Sequence, residues 1–237
     1  MASLVTTASF ADAVARALGQ RLVSLLLYGS AASGAHVPKR SDVNTLLICD
    51  VVDEGLFDAL APALRDWTRA GHPAPLIFTE REWRESADAF PIEYEDIRQH
   101  HRVLAGCDPW PGITVAREHV RRQLERELLE KLVRLRQAYA ALRGDPKRLA
   151  GVIAGSTGGF FTMLRAALRL AGKAVPAGAD ALVREAGAVI GFAPDGLAAL
   201  VAHATGGRTL KLAGGDPLPV VYLGAVARTA EFVNRLP

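Results

Sequence analysis

The stretch LLLYGSAASGAHVPKRSDVNTLLICD, Leu25 to Asp50, gathers residues whose types and spacing suit phosphate and metal chemistry. A strand ending in Gly29-Ser30 puts a residue without a side chain where the backbone can approach a ligand closely. It also places a small hydroxyl and backbone N–H groups beside that point. Such a turn can cradle phosphate. About a dozen residues later, Ser41-Asp42-Val43-Asn44 opens a second apolar run. The strand period of two puts Asp42 and Asn44 on one face, with Val43 and Thr45 on the other. Two oxygen ligands on one strand face can hold Mg²⁺ opposite bound phosphates. Lys39 and Arg40, in the intervening loop, read either as charge clamps for a triphosphate or as solvated loop cations.

These residues need a sheet to stand on, and the neighbouring pattern supplies one. From Ser9 to about Gly19, Phe10, Val14 and Leu18 recur at helical spacing after a Ser/Thr start, which predicts an amphipathic helix. LVSLLLYG reads as a buried strand and DVNTLLICD as a second. Asp53 to Ala70 has helical periodicity through Leu56, Leu60 and Leu64, and PLIF is a short third strand. The segment FPIEYEDIRQHHRVLAG is ambiguous: Ile92 and Tyr94 alternate as in a strand, whereas Ile97 to Leu104 suits helix or strand.

After CDPWPG, whose prolines and glycine make a natural linker, strand patterns largely disappear. Val120, Leu124, Leu128, Leu132 and Leu135 form the stripe of a long helix that RGDP ends. The next helix, about Pro146 to Gly172, contains GSTGGFF. Three interior glycines each weaken a helix by about 1 kcal/mol relative to alanine, so the pattern predicts either a closely packed partner helix or a break. Ala179 to Ile190, Asp195 to Thr205 and Asp216 to Arg235 complete a bundle of about five helices. The expected division is 1–113 for the sheet-bearing part and 114–237 for the helical part. No internal repeat is visible.

Charge follows the same division. Residues 1–113 carry 10 Lys+Arg against 15 Asp+Glu, net −5, and residues 114–237 carry 18 against 10, net +8, which together give the chain's +3. Either an anionic ligand such as a nucleotide or nucleic acid lies between the halves, or the charges are solvated helix surface. With 237 residues, 50% hydrophobic and 22% charged, the composition describes a soluble globular protein and argues against disorder. The opening residues lack a basic, then apolar leader pattern, and no stretch is apolar enough to span a membrane, so a cytoplasmic location is expected. Cys49 and Cys107 are too few for a disulfide framework and lack metal-site spacing, leaving packing as their expected role.

Gly29-Ser30, Gly34 and Ser41-Asp42-Val43-Asn44 resemble the signature of the polymerase-beta-type nucleotidyltransferase superfamily, in which Gly-Ser is followed after a spacer by Ser-Asp-x-Asp-Leu. The order of helix, Gly-Ser strand, Asp strand, helix and third strand over residues 9–105 is similar too. The helical part resembles that of bacterial antibiotic nucleotidyltransferases and their relatives. FPIEYEDIRQHHRVLAG and LRAALRLAGKAVP resemble segments of those relatives. The implied fold class is an α/β (α+β) nucleotidyltransferase-type core with a mixed sheet, followed by an all-α helical bundle.

In that superfamily three carboxylates hold two divalent metals, Mg²⁺ or Mn²⁺, which orient a triphosphate and activate an acceptor hydroxyl. By resemblance, Gly29 and Ser30 match the phosphate turn and Asp42 the first carboxylate. Asn44 stands at the second. Its amide offers a carbonyl oxygen without charge, a poor bridge between two dications. The third strand, PLIFTERE, has no acid among its apolar residues. Glu93 and Glu80 are the substitutes, with strand alternation placing Glu93 and Glu95 on one face; the alternative makes them surface charges.

The other tempting residues read more plainly. His100 and His101 are adjacent and cannot converge on one metal, so surface or partner contact is expected. GSTGGFF lacks the Gly-Lys-Ser/Thr ending of a P-loop. Trp67, Trp83 and Trp110 suit core or hinge packing better than base stacking. No GxSxG elbow or hydrolase triad is present. Three functions stay open: an NTP-binding protein of nucleotidyltransferase fold whose transfer is weak or lost, an active metal-dependent enzyme moving NMP onto a hydroxyl of a small molecule, protein or RNA, and a non-enzymatic scaffold. The acceptor is not specified by the sequence, and the helical part offers a surface for a protein partner or homodimer.

Overall fold

The computed structural model describes residues 5–32, 43–206 and 208–236. Contacts between backbone positions divide the chain into two units, Met1–Val115 and Ala116–Pro237.

The first unit opens with helix α1, Thr7–Leu18, whose start is fixed by a capping box: Thr6 Oγ1 accepts from Ser9 N, and Ser9 Oγ accepts from Thr6 N. Four strands follow in a mixed sheet of order β3-β2-β1-β4. They are β1 (Leu22–Tyr28), β2 (Asn44–Cys49), β3 (Leu76–Thr79) and β4 (His101–Gly106). β1 pairs antiparallel with both β2 and β4, and β2 pairs parallel with β3. A parallel pair needs a crossover, and helix α2, Glu54–Arg69, provides it. Asp53 caps α2 by accepting from Leu56 N at 2.7 Å, and the same oxygen pairs with Arg21 at 2.7 Å.

The strand period then sorts two cores. Leu25, Leu47 and Cys49 face α1 and α2, where Phe10, Val14, Leu18, Leu56, Leu60 and Trp67 are buried and Phe10 stacks on Trp67 at 4.2 Å. Leu26, Leu46 and Ile48 face the opposite side. That side is covered from helix α3, Glu80–Glu85, by Trp83, and from helix α4, Pro91–Gln99, by Tyr94 and Ile97. Tyr94 stacks on Trp83 at 4.2 Å and donates its hydroxyl to Trp83 O at 2.7 Å, while Trp110 meets Trp83 edge-on at 5.1 Å. The three tryptophans therefore pack, as their lack of pattern implied.

The ambiguous segment resolves into α4 followed directly by β4. Pro91, with its preset φ, starts the helix, and Tyr94 and Ile97 at three-residue spacing bury one face. Alternation does not apply to Glu93 and Glu95. On a helix two residues apart point about 200° from each other, so they do not share a face.

The second unit is helical. α5, Arg117–Leu142, buries the stripe Val120, Leu124, Leu128, Leu132 and Leu135 against α6, Pro146–Leu170, and α9, Leu218–Asn234. Between them come α7, Ala179–Ile190, and the short α8, Ala198–Ala204, which follows a 3₁₀ turn at Pro194–Leu197. α6 runs unbroken through GSTGGFF, so the expected break is absent, and a partner helix comes close at one of the three glycines: a Cβ on Gly159 would stand 3.5 Å from Lys131 Nζ of α5. A Cβ on Gly155 or Gly158 would meet nothing within 4 Å, so no partner helix presses on these two. The opposite face holds the helix together by burying Ile153, Thr157, Phe160, Phe161 and Leu164, and tertiary packing outweighs low propensity. Among the described residues, no helix is long and apolar enough to cross a membrane.

Candidate functional site

At the end of β1 the sequence Tyr28-Gly29 turns from strand into a 3₁₀ turn, Gly29–Ala31. Gly29 has φ +75°, a left-handed conformation that costs a side-chain-bearing residue about 1–2 kcal/mol. The turn is tied at both ends of this residue: Gly29 N donates to His100 O at 3.0 Å, and Gly29 O accepts from Ala32 N at 3.0 Å. Ser30 occupies the middle of the turn; its side chain, like Lys39, Arg40 and Asp42, lies outside the described residues.

Asn44, the first residue of β2, reaches over this turn. Its Nδ2 lies 3.6 Å from the position a Cβ on Gly29 would take. The ladder pairs Asn44 with Tyr28, and Tyr28 in turn with His101. Residues paired across antiparallel strands project to the same side, so Asn44, Tyr28 and His101 form a row across three strands beside the turn. Burial pushes the Tyr28 phenol above its ordinary range. His101 Nδ1 lies 3.0 Å from both Ile97 O and Arg98 O. Carbonyls only accept, so this nitrogen carries the proton, and the ring leans on Trp110 with centroids 5.6 Å apart. His101 is thus fixed inward, whereas the sequence suggested surface or partner contact. Tyr28 was missed altogether, and the signal that could have found it is the hairpin-like pairing that sets the last residue of β1 opposite the first of β2.

The two substitute carboxylates are not brought to this row. β2 and β3 run parallel with Cys49 beside Thr79, so Glu80 begins α3 at the far end of β2 from Asn44, roughly 16 Å away along the strand. There Glu80 pairs with Arg84 at 2.8 Å. Glu93 is exposed in the first turn of α4, about 10 Å along the helix from His100, whose carbonyl holds Gly29. Among the described residues, no group of three or more His, Cys, Asp and Glu is placed to hold a metal. The donors described at the turn are a neutral amide, a phenol and an imidazole already committed through Nδ1. This donor set does not match two hard dications, which call for carboxylate oxygens.

Cys49 is buried in the first core, with its thiol pushed up to about 11 by burial first and by Asp50 second, which suits packing rather than reactivity.

No family model matches the chain, and no curated protein matches it in sequence. Among solved structures it is similar to the spectinomycin adenyltransferase of Enterococcus faecialis, crystallised with ATP and spectinomycin. The likeness has a TM-score of 0.59 and 12% sequence identity, and covers 94% of this chain and 98% of that one. At this identity the likeness shows the fold alone: a nucleotidyltransferase-type core with a mixed four-stranded sheet, followed by a helical region.

Proposed function

We propose that this chain is a nucleotidyltransferase-fold protein that binds a nucleoside triphosphate at the Gly29-Ser30 turn, with nucleotidyl transfer weak or lost. The observation that carries the reading is Asn44, a neutral amide standing directly over Gly29 at the edge of β2. The turn offers close backbone approach to phosphate, which supports binding. The amide supplies no charge to bridge two metals, which supports the loss of transfer. ATP is the nucleotide to test first, because the similar adenyltransferase was solved with it. In this reading residues 1–113 form the nucleotide-binding part and 114–237 the helical part. Ser30, Lys39 and Arg40 contact phosphates, and Asp42 retains one weak Mg²⁺ or Mn²⁺.

Isothermal titration of ATP with Mg²⁺, then with EDTA, against Asp42→Ala tests it. The expected result is saturable binding that changes little with EDTA, together with no turnover of labelled NTP across a panel of hydroxyl acceptors. Robust transfer that disappears in Asp42→Ala would establish an active enzyme instead. Absence of ATP binding in both conditions would leave the scaffold reading.

A further inference from the structure

The helical unit holds a cavity of about 500 Å³, within the range of small-molecule sites, between the start of α6 and the segment joining α8 to α9. Ala150, Gly151 and Ala154 recur at helical spacing and form one wall, and Leu210 and Leu212 form the other. Around this apolar interior stand Lys147, His203 and Lys211, with the Thr209 hydroxyl. Among the described residues the lining contains no Asp or Glu. Asp145, the acid next to it in sequence, is engaged at the cap of α6, where it accepts from Arg148 N at 3.1 Å. His203 is held through Nδ1 by Arg208 O at 3.1 Å, which fixes its ring at the wall.

The geometry points to a binding site for a small aliphatic anion, a carboxylate or phosphate monoester head on an unbranched apolar tail. Two lysines without a balancing acid select a negative head. The interior selects the tail by what it lacks among the described residues: no Phe, Tyr or Trp to stack on a base, and no Asn or Gln amide to read one or to bond sugar hydroxyls. An aliphatic chain needs neither. The cavity lies wholly within the helical unit, so this site stands or falls independently of the Gly29 turn.

Gly151 provides a clean way to close it. The residue is in an ordinary helical conformation, and an added Cβ would meet nothing within 4 Å, so Gly151→Leu places a bulky side chain at this wall of the cavity without a backbone clash and with a better helix former. The experiment titrates octanoate, decanoate and decyl phosphate, below their micelle concentrations, into the full chain by calorimetry, with decyltrimethylammonium as the opposite charge. The expected result is saturable one-to-one binding of the anions, tightening about fourfold per methylene. Whichever of decanoate and decyl phosphate binds tighter identifies the head. Lys147→Ala with Lys211→Ala should weaken decanoate by about three- to tenfold, as for exposed charge pairs. Gly151→Leu, with its helical circular dichroism retained, should weaken decanoate binding at least tenfold by obstructing the tail. Equal binding of the cation, or undiminished affinity in Gly151→Leu, would overturn the proposal.

Discussion

Asn44 lies across Gly29, with Nδ2 3.6 Å from the place of a Cβ, and the sheet holds it there by pairing it with Tyr28. The amide is therefore fixed at the turn by strand register, not by its own chemistry. Changing its charge leaves that register intact, because Asp is nearly isosteric with Asn and the ladder uses only backbone groups.

Asn44→Asp should accordingly raise affinity for divalent metal in the presence of ATP by at least tenfold, the scale on which even residues behind the metal ligands act. Calorimetry with Mn²⁺ and ATP measures it, and labelled-NTP turnover measured in parallel tests whether transfer appears with the new charge. An unchanged metal affinity would show that position 44 does not face the metal, and would remove the argument from Asn44.

Gly29→Ala separates conformation from space. The nearest atom to an added methyl is at ordinary contact distance, so crowding contributes little, while φ +75° should cost about 1–2 kcal/mol of stability. Urea unfolding checks the loss, and ATP titration of the folded variant checks whether the altered turn also weakens nucleotide binding. A neutral result in both would mean the turn relaxes to a conformation open to any residue.

Much of this architecture was legible in the sequence, for identifiable reasons. The five-residue stripe of α5 steps by four and then by three, which a strand's period of two cannot match, Phe10, Val14 and Leu18 follow a Ser/Thr helix start, and LVSLLLY and NTLLIC are too short and apolar for much besides buried strands. α4 was not legible, because Ile92 and Tyr94 mimic alternation until Ile97 and the covering role of Tyr94 over Trp83 are known. Nor was the row from Asn44 to His101, since the pairing of β1 with β4 joins segments far apart in the chain and local pattern does not encode it. Gly155 and Gly158 of α6 misled for a different reason. Propensity reports their weakness but not which side of the helix is open.

That openness makes an unusual prediction for α6. Gly155→Ala and Gly158→Ala should each stabilise the protein by about 0.5–1 kcal/mol, since the methyl enters open space and the unfolded chain loses freedom. Gly187→Ala should do the reverse, because its methyl would stand 2.8 Å from Phe192 O and 3.2 Å from Pro194 Cδ. Denaturant midpoints of the three variants test both signs. Destabilisation by Gly155→Ala would mean that this face is packed against a second molecule in solution, which light scattering would then detect.

Tyr222 gives the helical unit a dependence on high pH. The side chain is fully buried on α9, with its hydroxyl 3.0 Å from Ser156 Oγ on α6. Burial pushes the phenol up to about 12, with the Ser156 hydroxyl drawing it partly back. The unfolded chain titrates at the ordinary value near 10, so between pH 10 and 12 it releases a proton that the folded state still holds. Stability is then complete below pH 10 and falls as pH rises through this window, by on the order of 2–3 kcal/mol in total. Tyr222→Phe should start lower at pH 9, by about 1 kcal/mol for the lost hydrogen bond, yet fall less by pH 11. Unfolding free energies of the two proteins at pH 9 and pH 11 make the comparison, which cancels the titration of the lysines they share. A wild-type drop exceeding the variant's by about 1 kcal/mol is expected; parallel drops would show that Tyr222 ionises in the folded state as freely as in water.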